Sequence, residues 1–170
     1  GRLDKFAKLR PAFDRVGTIT AANASTINDG AAAVVLASAE TAERLGIKPI
    51  AKWVSHAGHA QDPEWFTTAP IKSIENALTR AELSAGDIDL YEINEAFSVV
   101  TMAAMRELSI DHDKVNVNGG AVSLGHPIGA SGARLLVTLL HVLEERQKDL
   151  GAVSLCIGGG EAVAVVVKRV

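Results

Sequence analysis

From residue 49 onward, short apolar segments alternate with segments whose apolar residues recur at helical spacing. The helix-patterned segments begin at Pro70, after Asn94 and after the glycine-rich stretch 119–132. Parallel strands need long crossover connections, usually helices, so this alternation predicts an α/β domain. Five apolar segments predict a βαβαβαββ order and a mixed, mostly parallel five-stranded sheet covered by helices: Pro49–Ala57, Ile88–Ile93, Val115–Val117, Ala152–Ile157 and Ala162–Val167.

Residues 1–47 do not follow this alternation, and we treat 1–47 and 48–170 as separate units. Ala31–Ala37 is an apolar run of strand length, and Ser38 is a suitable N-cap for a short helix that Gly46 ends. Glycine turns followed by small aliphatic segments occur both at Ala31–Ala37 and at Ala162–Val167. If these are copies, Ala31–Ser38 is the last strand of an earlier, similar half. We therefore expect residues 1–38 to be poorly supported and this strand to expose apolar surface.

Charge and composition exclude several classes of protein. The 170 residues carry 17 basic and 20 acidic side chains, with no basic run, so a nucleic-acid partner is not expected. The apolar runs fall far below the roughly 18 residues of a membrane helix, so no membrane partner is expected. One cysteine excludes an internal disulfide and a multi-cysteine metal site, and no metal ligands are assigned. The expected location is the cytoplasm.

The stretch 119–132 contains His126 between a glycine and a proline, just before a predicted helix. Glycines are typical where the backbone turns or approaches another group closely, and a helix N-terminus favours negative charge. A histidine on such stiff backbone suits a general base. The alternative is a structural histidine in a glycine-rich loop, and only partners would decide between the two.

Two further segments contain candidate residues. Cys156 lies at the end of an apolar strand, just before Gly158-Gly159-Gly160. So short a connection to the next strand predicts an antiparallel hairpin. The N–H groups of this turn can stabilise an oxyanion. A buried structural cysteine is the alternative. Asn94 stands at a strand-to-helix junction, where it is either a helix N-cap or a hydrogen-bond donor to a ligand.

These three segments together resemble the C-terminal signatures of thiolases. The matching residues are Asn94-Glu95-Ala96-Phe97, Gly125-His126-Pro127 and Cys156-Ile157-Gly158, and Asn23-Ala24-Ser25 also resembles a thiolase segment. The resemblance implies a thiolase-like fold and acyl transfer between acyl-CoA thioesters, with coenzyme A thioester as substrate and no permanently bound cofactor. It also implies a homo-oligomer, dimer or tetramer, of the full protein.

The resemblance also implies a role for each matching residue. His126 would activate a nucleophilic cysteine, Cys156 would act as acid and base, and Asn94 would hold a water in an oxyanion hole. The Gly158 N–H would be a donor of a second oxyanion hole. Ser25 would lie near the pantetheine, and Phe97 and Phe66 would line the acyl or pantetheine channel.

One departure from the family pattern matters. The family's nucleophile is a second cysteine in the first half, whereas this chain has one cysteine, Cys156. The chain therefore resembles the C-terminal part of a thiolase, with residues 1–47 as the tail of the loop domain and the last strand and helix of the missing N-terminal half. We expect it to be inactive alone. A non-catalytic CoA-ester-binding or assembly subunit and a 3-oxoacyl-ACP synthase-type enzyme are the alternatives; Cys156 argues against the latter, which has histidine there.

Overall fold

A computed structural model describes residues 2–170 of the chain. Its helices and strands, numbered in chain order, are α1 Ala39–Arg44, β1 Ala51–Ala60, α2 Ala69–Arg80, β2 Leu90–Ile93, α3 Ser98–Leu108, α4 Ala121–Leu124, α5 Ser131–Glu145, β3 Leu150–Cys156 and β4 Glu161–Arg169. Short 3₁₀ turns cover Leu3–Lys8, Pro63–Thr68, Ala85–Asp87 and His112–Lys114.

Across residues 2–170 the strands form a four-stranded sheet in the order β1-β4-β3-β2. β2 and β3 are parallel, from Leu90 opposite Gly151 to Ile93 opposite Ser154. β4 is antiparallel to both β1 and β3, so the predicted hairpin is confirmed. β4 alone runs against the other three strands, but its central place makes two of the three ladders antiparallel.

The sheet has four strands in the described chain rather than the predicted five. Val115 makes a single parallel bridge to Tyr91. The next residue, Asn116, has φ 48° and its side-chain amide bonds both the N–H and the C=O of Ile93, at 2.8 Å each. The Asn116 side chain thus pairs with backbone groups at the edge of β2, where a fifth strand was predicted.

Helices cover both faces of the sheet. One apolar core joins α2 and α3 to the sheet through residues such as Ile74, Tyr91 and Val100. The other joins α5 to the opposite face through residues such as Leu139, Leu143 and Val153. A Cβ at Gly151 would lie 2.7 Å from the Leu139 side chain, so this glycine allows α5 to approach the sheet closely.

The N-terminal segment is mostly exposed. The helix predicted after Ser38 is confirmed: Ser38 Oγ accepts the Thr41 N–H at 3.1 Å, and Gly46 has φ +64°. Ala31–Ala37 forms no strand within residues 2–170, because no other strand lies beside it to pair with. Its place as the last strand of another half stays a prediction. The expected apolar exposure is present, since Val35 is 93% and Leu36 71% exposed.

Residues 23–28 depart from the expectation that residues 1–38 are poorly supported. Ser25 N–H bonds Ala96 O at 3.0 Å, and Ser98 N–H bonds Asn23 O at 2.8 Å. His126 N–H bonds Thr26 O at 3.0 Å. We call residues 23–28 the N-terminal strap, because they lie between the start of α3 and the loop that contains His126. Gly1 lies outside the described residues.

Candidate active site

Asn94 follows β2 directly and is fully buried. Its N–H bonds Ser154 O at 2.9 Å, which extends the β2–β3 pairing by one residue. The N-cap interpretation is wrong, because α3 begins at Ser98 and Phe97 is its N-cap residue. The Asn94 side chain therefore serves no cap. Its Oδ1 atom is buried and has no hydrogen-bond partner within residues 2–170.

His126 is half-buried and is held by its backbone as much as by its ring. Its N–H lies 3.0 Å from Thr26 O and 3.1 Å from Asn28 Oδ1, both from the N-terminal strap. The preceding Gly125 has φ +97°, and a Cβ there would collide with the Asn28 amide. Glycine is thus required at this position for both conformation and space.

The His126 ring lies between two polar side chains. Nδ1 is 2.6 Å from Ser131 Oγ, and Nε2 is 3.4 Å from Asn94 Nδ2. Ser131 Oγ donates its proton to Pro127 O at 3.0 Å, so it accepts the bond from His126 Nδ1–H. The tautomer that fits both contacts has its proton on Nδ1. Nε2 then has no proton and accepts a hydrogen bond from the Asn94 amide. Nε2 is therefore the basic atom of this site.

Burial, and secondarily the charge of Arg134, lower the pKa of His126 below its usual value. Both effects disfavour the imidazolium. At neutral pH the ring is neutral and able to accept a proton, which is the state a general base requires.

Cys156 is the last residue of β3, at the sheet edge where Asn94 follows β2. It is a free, half-buried thiol, and burial raises its pKa, so at neutral pH it carries its proton. Its side chain packs with the α2–α3 core, whereas Ser131 begins α5 on the opposite face. Within residues 2–170 no hydrogen bond joins Cys156 to His126, and their convergence on one site stays a prediction.

Gly158 lies in the exposed turn between β3 and β4. Nothing lies within 4 Å of a Cβ built there, and its N–H has no acceptor in the described part of the chain. Gly160, in contrast, has φ +102°, and a Cβ there would collide with Gln61 O. The turn conformation thus depends on Gly160, while the Gly158 N–H stays available to an external acceptor.

The other predicted residues lie near the start of α3. Ser25 Oγ donates to Ala96 O at 3.0 Å, so this hydroxyl is occupied by the main chain. Phe97 meets Phe66 edge-on, with 6.2 Å between ring centroids. Phe97 and Cys156 pack against the same core. These aromatic rings and the thiol therefore share one face of the sheet.

Sequence reasoning missed Phe13 and Ser131. Phe13 meets Phe97 edge-on at 5.8 Å, so three of the four phenylalanines come together. With only four phenylalanines in the chain, a shared aromatic cluster is the pattern that could have indicated Phe13. Ser131 stood five residues after His126 at a predicted helix start, which is a position where a hydroxyl can reach back to the loop.

Glu95 fixes the backbone next to these residues. Its carboxylate accepts bonds from Asn116 Nδ2 at 3.0 Å and from the Val122 N–H at 3.1 Å, and it lies directly against Gly120. A cleft of about 450 Å³ opens here, between α3 and the loop, and Glu95 and Asn116 line it. It is separate from the Asn94–His126 contact.

Within residues 2–170, no three His, Cys, Asp or Glu side chains are grouped so that they could hold a metal ion. A search of the same residues for a helix of the length and hydropathy needed to cross a membrane finds none.

Comparison with known proteins identifies the family. The model of the thiolase C-terminal domain matches residues 47–169, and that of the thiolase N-terminal domain matches residues 2–40. The chain belongs to the thiolase family.

Individual relatives agree with this assignment. An acetyl-CoA acetyltransferase of Cupriavidus necator is 52% identical over 98% of this chain. The crystal structure of a Bacillus anthracis acetyl-CoA acetyltransferase superposes with a TM-score of 0.95 at 44% identity, covering 98% of this chain and 42% of that one. Human mitochondrial 3-ketoacyl-CoA thiolase in complex with CoA superposes over the whole chain, with a TM-score of 0.93 at 40% identity, and 43% of that chain is covered. The chain spans 42% of the length of the curated relatives it matches.

Proposed function

We propose that this chain is the C-terminal part of a thiolase, which transfers acyl groups between CoA thioesters by Claisen condensation or by the reverse thiolysis. The observation that carries the proposal is the bonded series Asn94–His126–Ser131, which leaves His126 Nε2 as a neutral base facing the Asn94 amide. The substrate is a coenzyme A thioester, and no permanently bound cofactor is required.

In this proposal His126 Nε2 accepts the proton of a cysteine thiol supplied by sequence outside this chain. The resulting thiolate attacks a thioester carbonyl and takes the acyl group, and the departing CoA thiolate takes the proton of the Cys156 thiol. His126 returns its proton to the nucleophilic cysteine when the acyl group leaves that cysteine. Asn94 holds a water through its buried amide, so that the water donates to the thioester oxygen.

Cys156 handles the second proton transfer. In condensation its thiolate removes the α-proton of a second acyl-CoA, and in thiolysis its thiol protonates the leaving carbanion. Burial raises the pKa of Cys156, which suits the proton-donating role at rest. The Gly158 N–H has no acceptor among the described residues and would donate to the carbonyl oxygen of this second thioester. Phe97 and Phe66 would line the acyl or pantetheine channel, with Ser25 nearby.

The proposal also assigns the two units. Residues 1–47 would be the tail of the loop domain and the last strand and helix of the N-terminal half, and residues 48–170 the C-terminal domain. The exposed Val35 and Leu36 would be covered by that other half. The full protein would form a homo-oligomer. It would lie in the cytoplasm, because an acid/base thiol must stay reduced.

The deciding experiment assays the purified 170-residue chain for 3-oxoacyl-CoA cleavage, alone and with the N-terminal half of the protein. We expect no turnover alone, because losing a nucleophile removes several orders of magnitude in rate, and recovery with the other half. Cys156→Ser should abolish the recovered turnover. Turnover by the chain alone that Cys156→Ser abolishes would make Cys156 the nucleophile and overturn its assigned role. Binding of a CoA ester without any recovered turnover would favour a non-catalytic CoA-ester-binding subunit.

A further inference from the structure

Glu92 and Arg134 form a largely buried ion pair beside the proposed site. Arg134 Nη1 lies 3.4 Å from Glu92 Oε2, and the side chains are 20% and 2% exposed. The second terminal nitrogen, Arg134 Nη2, is buried without a hydrogen-bond partner in the described part of the chain. Buried ion pairs rarely add much stability, because desolvation offsets the attraction between the charges. A role other than stability is therefore worth testing.

The pair joins the two elements that hold the His126 ring. Glu92 lies on β2, two residues before Asn94, whose amide faces His126 Nε2. Arg134 lies on α5, three residues after Ser131, whose hydroxyl accepts the bond from His126 Nδ1. The two contacts on His126 thus come from opposite sides of the ring, and their spacing depends on how β2 and α5 are fixed together.

We propose that Arg134, anchored by Glu92, is a positioning residue that fixes α5 against β2, so that Ser131 and Asn94 hold the His126 ring in place. This inference rests on the proposed function, because it concerns the base of that reaction. Arg134 touches neither ring nitrogen and acts through Ser131 and Asn94.

The charge of Arg134 adds a second effect. Arg134 lowers the pKa of His126, although burial is the larger cause. One guanidinium nitrogen has no partner within residues 2–170, so Glu92 does not fully engage this charge. The charged or titratable groups on the elements around His126 are Arg134 on α5, Glu92 and Glu95 at the end of β2, Cys156 at the end of β3 and Asp29 beside the N-terminal strap.

The first test follows the His126 ring by NMR in the 170-residue chain, with labelled histidine and His126→Gln to assign its signal among the five histidines. Arg134→Gln removes the charge and should move the titration midpoint of His126 upward, because the imidazolium is no longer repelled. Arg134→Lys keeps the charge and should leave the midpoint near that of the parent chain. Arg169→Gln is the matched control, since Arg169 pairs with Asp149 at 3.2 Å at the far end of β4. An unmoved midpoint in Arg134→Gln, or an equal shift in Arg169→Gln, would overturn the charge effect.

The second test uses the chain combined with the N-terminal half. Arg134→Gln should lower kcat for 3-oxoacyl-CoA cleavage about ten- to a hundredfold with little change in KM, because a misplaced base is costly without weakening binding. The acidic limb of the pH–rate profile should move to higher pH, and Arg134→Lys should return it. The double variant Glu92→Gln/Arg134→Gln should lose no more than Arg134→Gln alone, because the two residues act as one unit.

An unchanged kcat and pH profile in Arg134→Gln would contradict the positioning role. Fully additive losses in the double variant would also contradict it. If the combined parent protein shows no turnover at all, the proposed function fails, while the NMR titration still decides whether Arg134 acts on His126.

Discussion

The N-terminal segment 2–47 and the sheet domain 51–169 are similarly apolar in places but differ in how they bury those residues. Ala42 is the one buried apolar side chain between residues 2 and 50, whereas the domain buries two full cores. Val35 and Leu36 stand in water although they belong to an apolar run of strand length. An apolar run without burial indicates a surface made for contact with something else. The N-terminal strap is the exception, because it is bonded to the domain at the proposed site.

Paired leucine substitutions should separate the two regions most strongly. Leu143→Ala removes a fully buried side chain from the α5 core and should lower the free energy of unfolding by about 2–5 kcal/mol. Leu36→Ala removes an exposed side chain and should change it by less than about 0.5 kcal/mol. Urea denaturation followed by circular dichroism measures both. A large loss from Leu36→Ala would show that this chain buries its N-terminal run in solution.

Carboxylates in the two regions should respond differently to pH. Burial raises the pKa of Glu92 to about 7 despite Arg134, so the folded state holds this proton more tightly than the unfolded chain does. The protonated Glu92 side chain therefore favours the folded state. This contribution to the free energy of unfolding is fully present below about pH 4.5 and is lost as pH rises towards 7. Glu92→Gln should remove this loss, which amounts to up to roughly 3 kcal/mol, since each pKa unit is worth about 1.4 kcal/mol.

Asp4→Asn, at the exposed Asp4–Arg2 pair, is the control and should leave the pH dependence of unfolding unchanged. Urea titrations at pH 5 and pH 8 measure both variants. Equal pH dependence in Glu92→Gln and the parent chain would show that Glu92 titrates as in an unfolded chain.

Two glycines of one loop should differ in what they tolerate. Gly120→Ala places a methyl group against the Glu95 carboxylate and should cost about 1–3 kcal/mol, because that carboxylate is held by Asn116 and Val122. Gly129→Ala meets no atom within 4 Å and should be close to neutral. Thermal unfolding of the two variants checks this difference, and a similar cost for both would mean that backbone freedom rather than space is limiting.

The smallest expected effect lies in α1. Ser38→Ala removes the hydroxyl that caps this helix and should weaken it by about 1 kcal/mol, so that trypsin cuts at Arg44 about fivefold faster. Global unfolding should not change, because α1 lies in the exposed segment. Thr41→Ala is a useful control, since it leaves the Ser38 cap to a backbone N–H in place. A fall in global stability with Ser38→Ala would place α1 within the cooperative unit.

The elements defined by local patterns were predictable, and those defined by distant pairing were not. The periodicity of leucines indicated α5, and three glycines indicated the β3–β4 hairpin. The central place of β4 depends on which distant strand it pairs with, a choice that the local pattern does not contain. The missing fifth strand depends on the Asn116 side chain acting as a ladder partner.

The same division holds at the site. The motifs predict His126, Cys156 and Asn94 as site residues, and the structure brings Asn94 and His126 into contact. Ser131 was missed because its role depends on the turn of the loop, and Phe13 because it approaches Phe97 from a remote segment. Neither contact follows from periodicity or spacing.

The bond between the His126 N–H and Thr26 O has a consequence for how the site can be observed. This amide is protected from exchange with deuterated water only while residues 23–28 stay docked. Its exchange rate therefore reports the opening of the strap directly at the proposed base, whether or not any substrate is present. A partner that covers the N-terminal segment should slow the exchange of this one amide more than that of amides in the middle of α5.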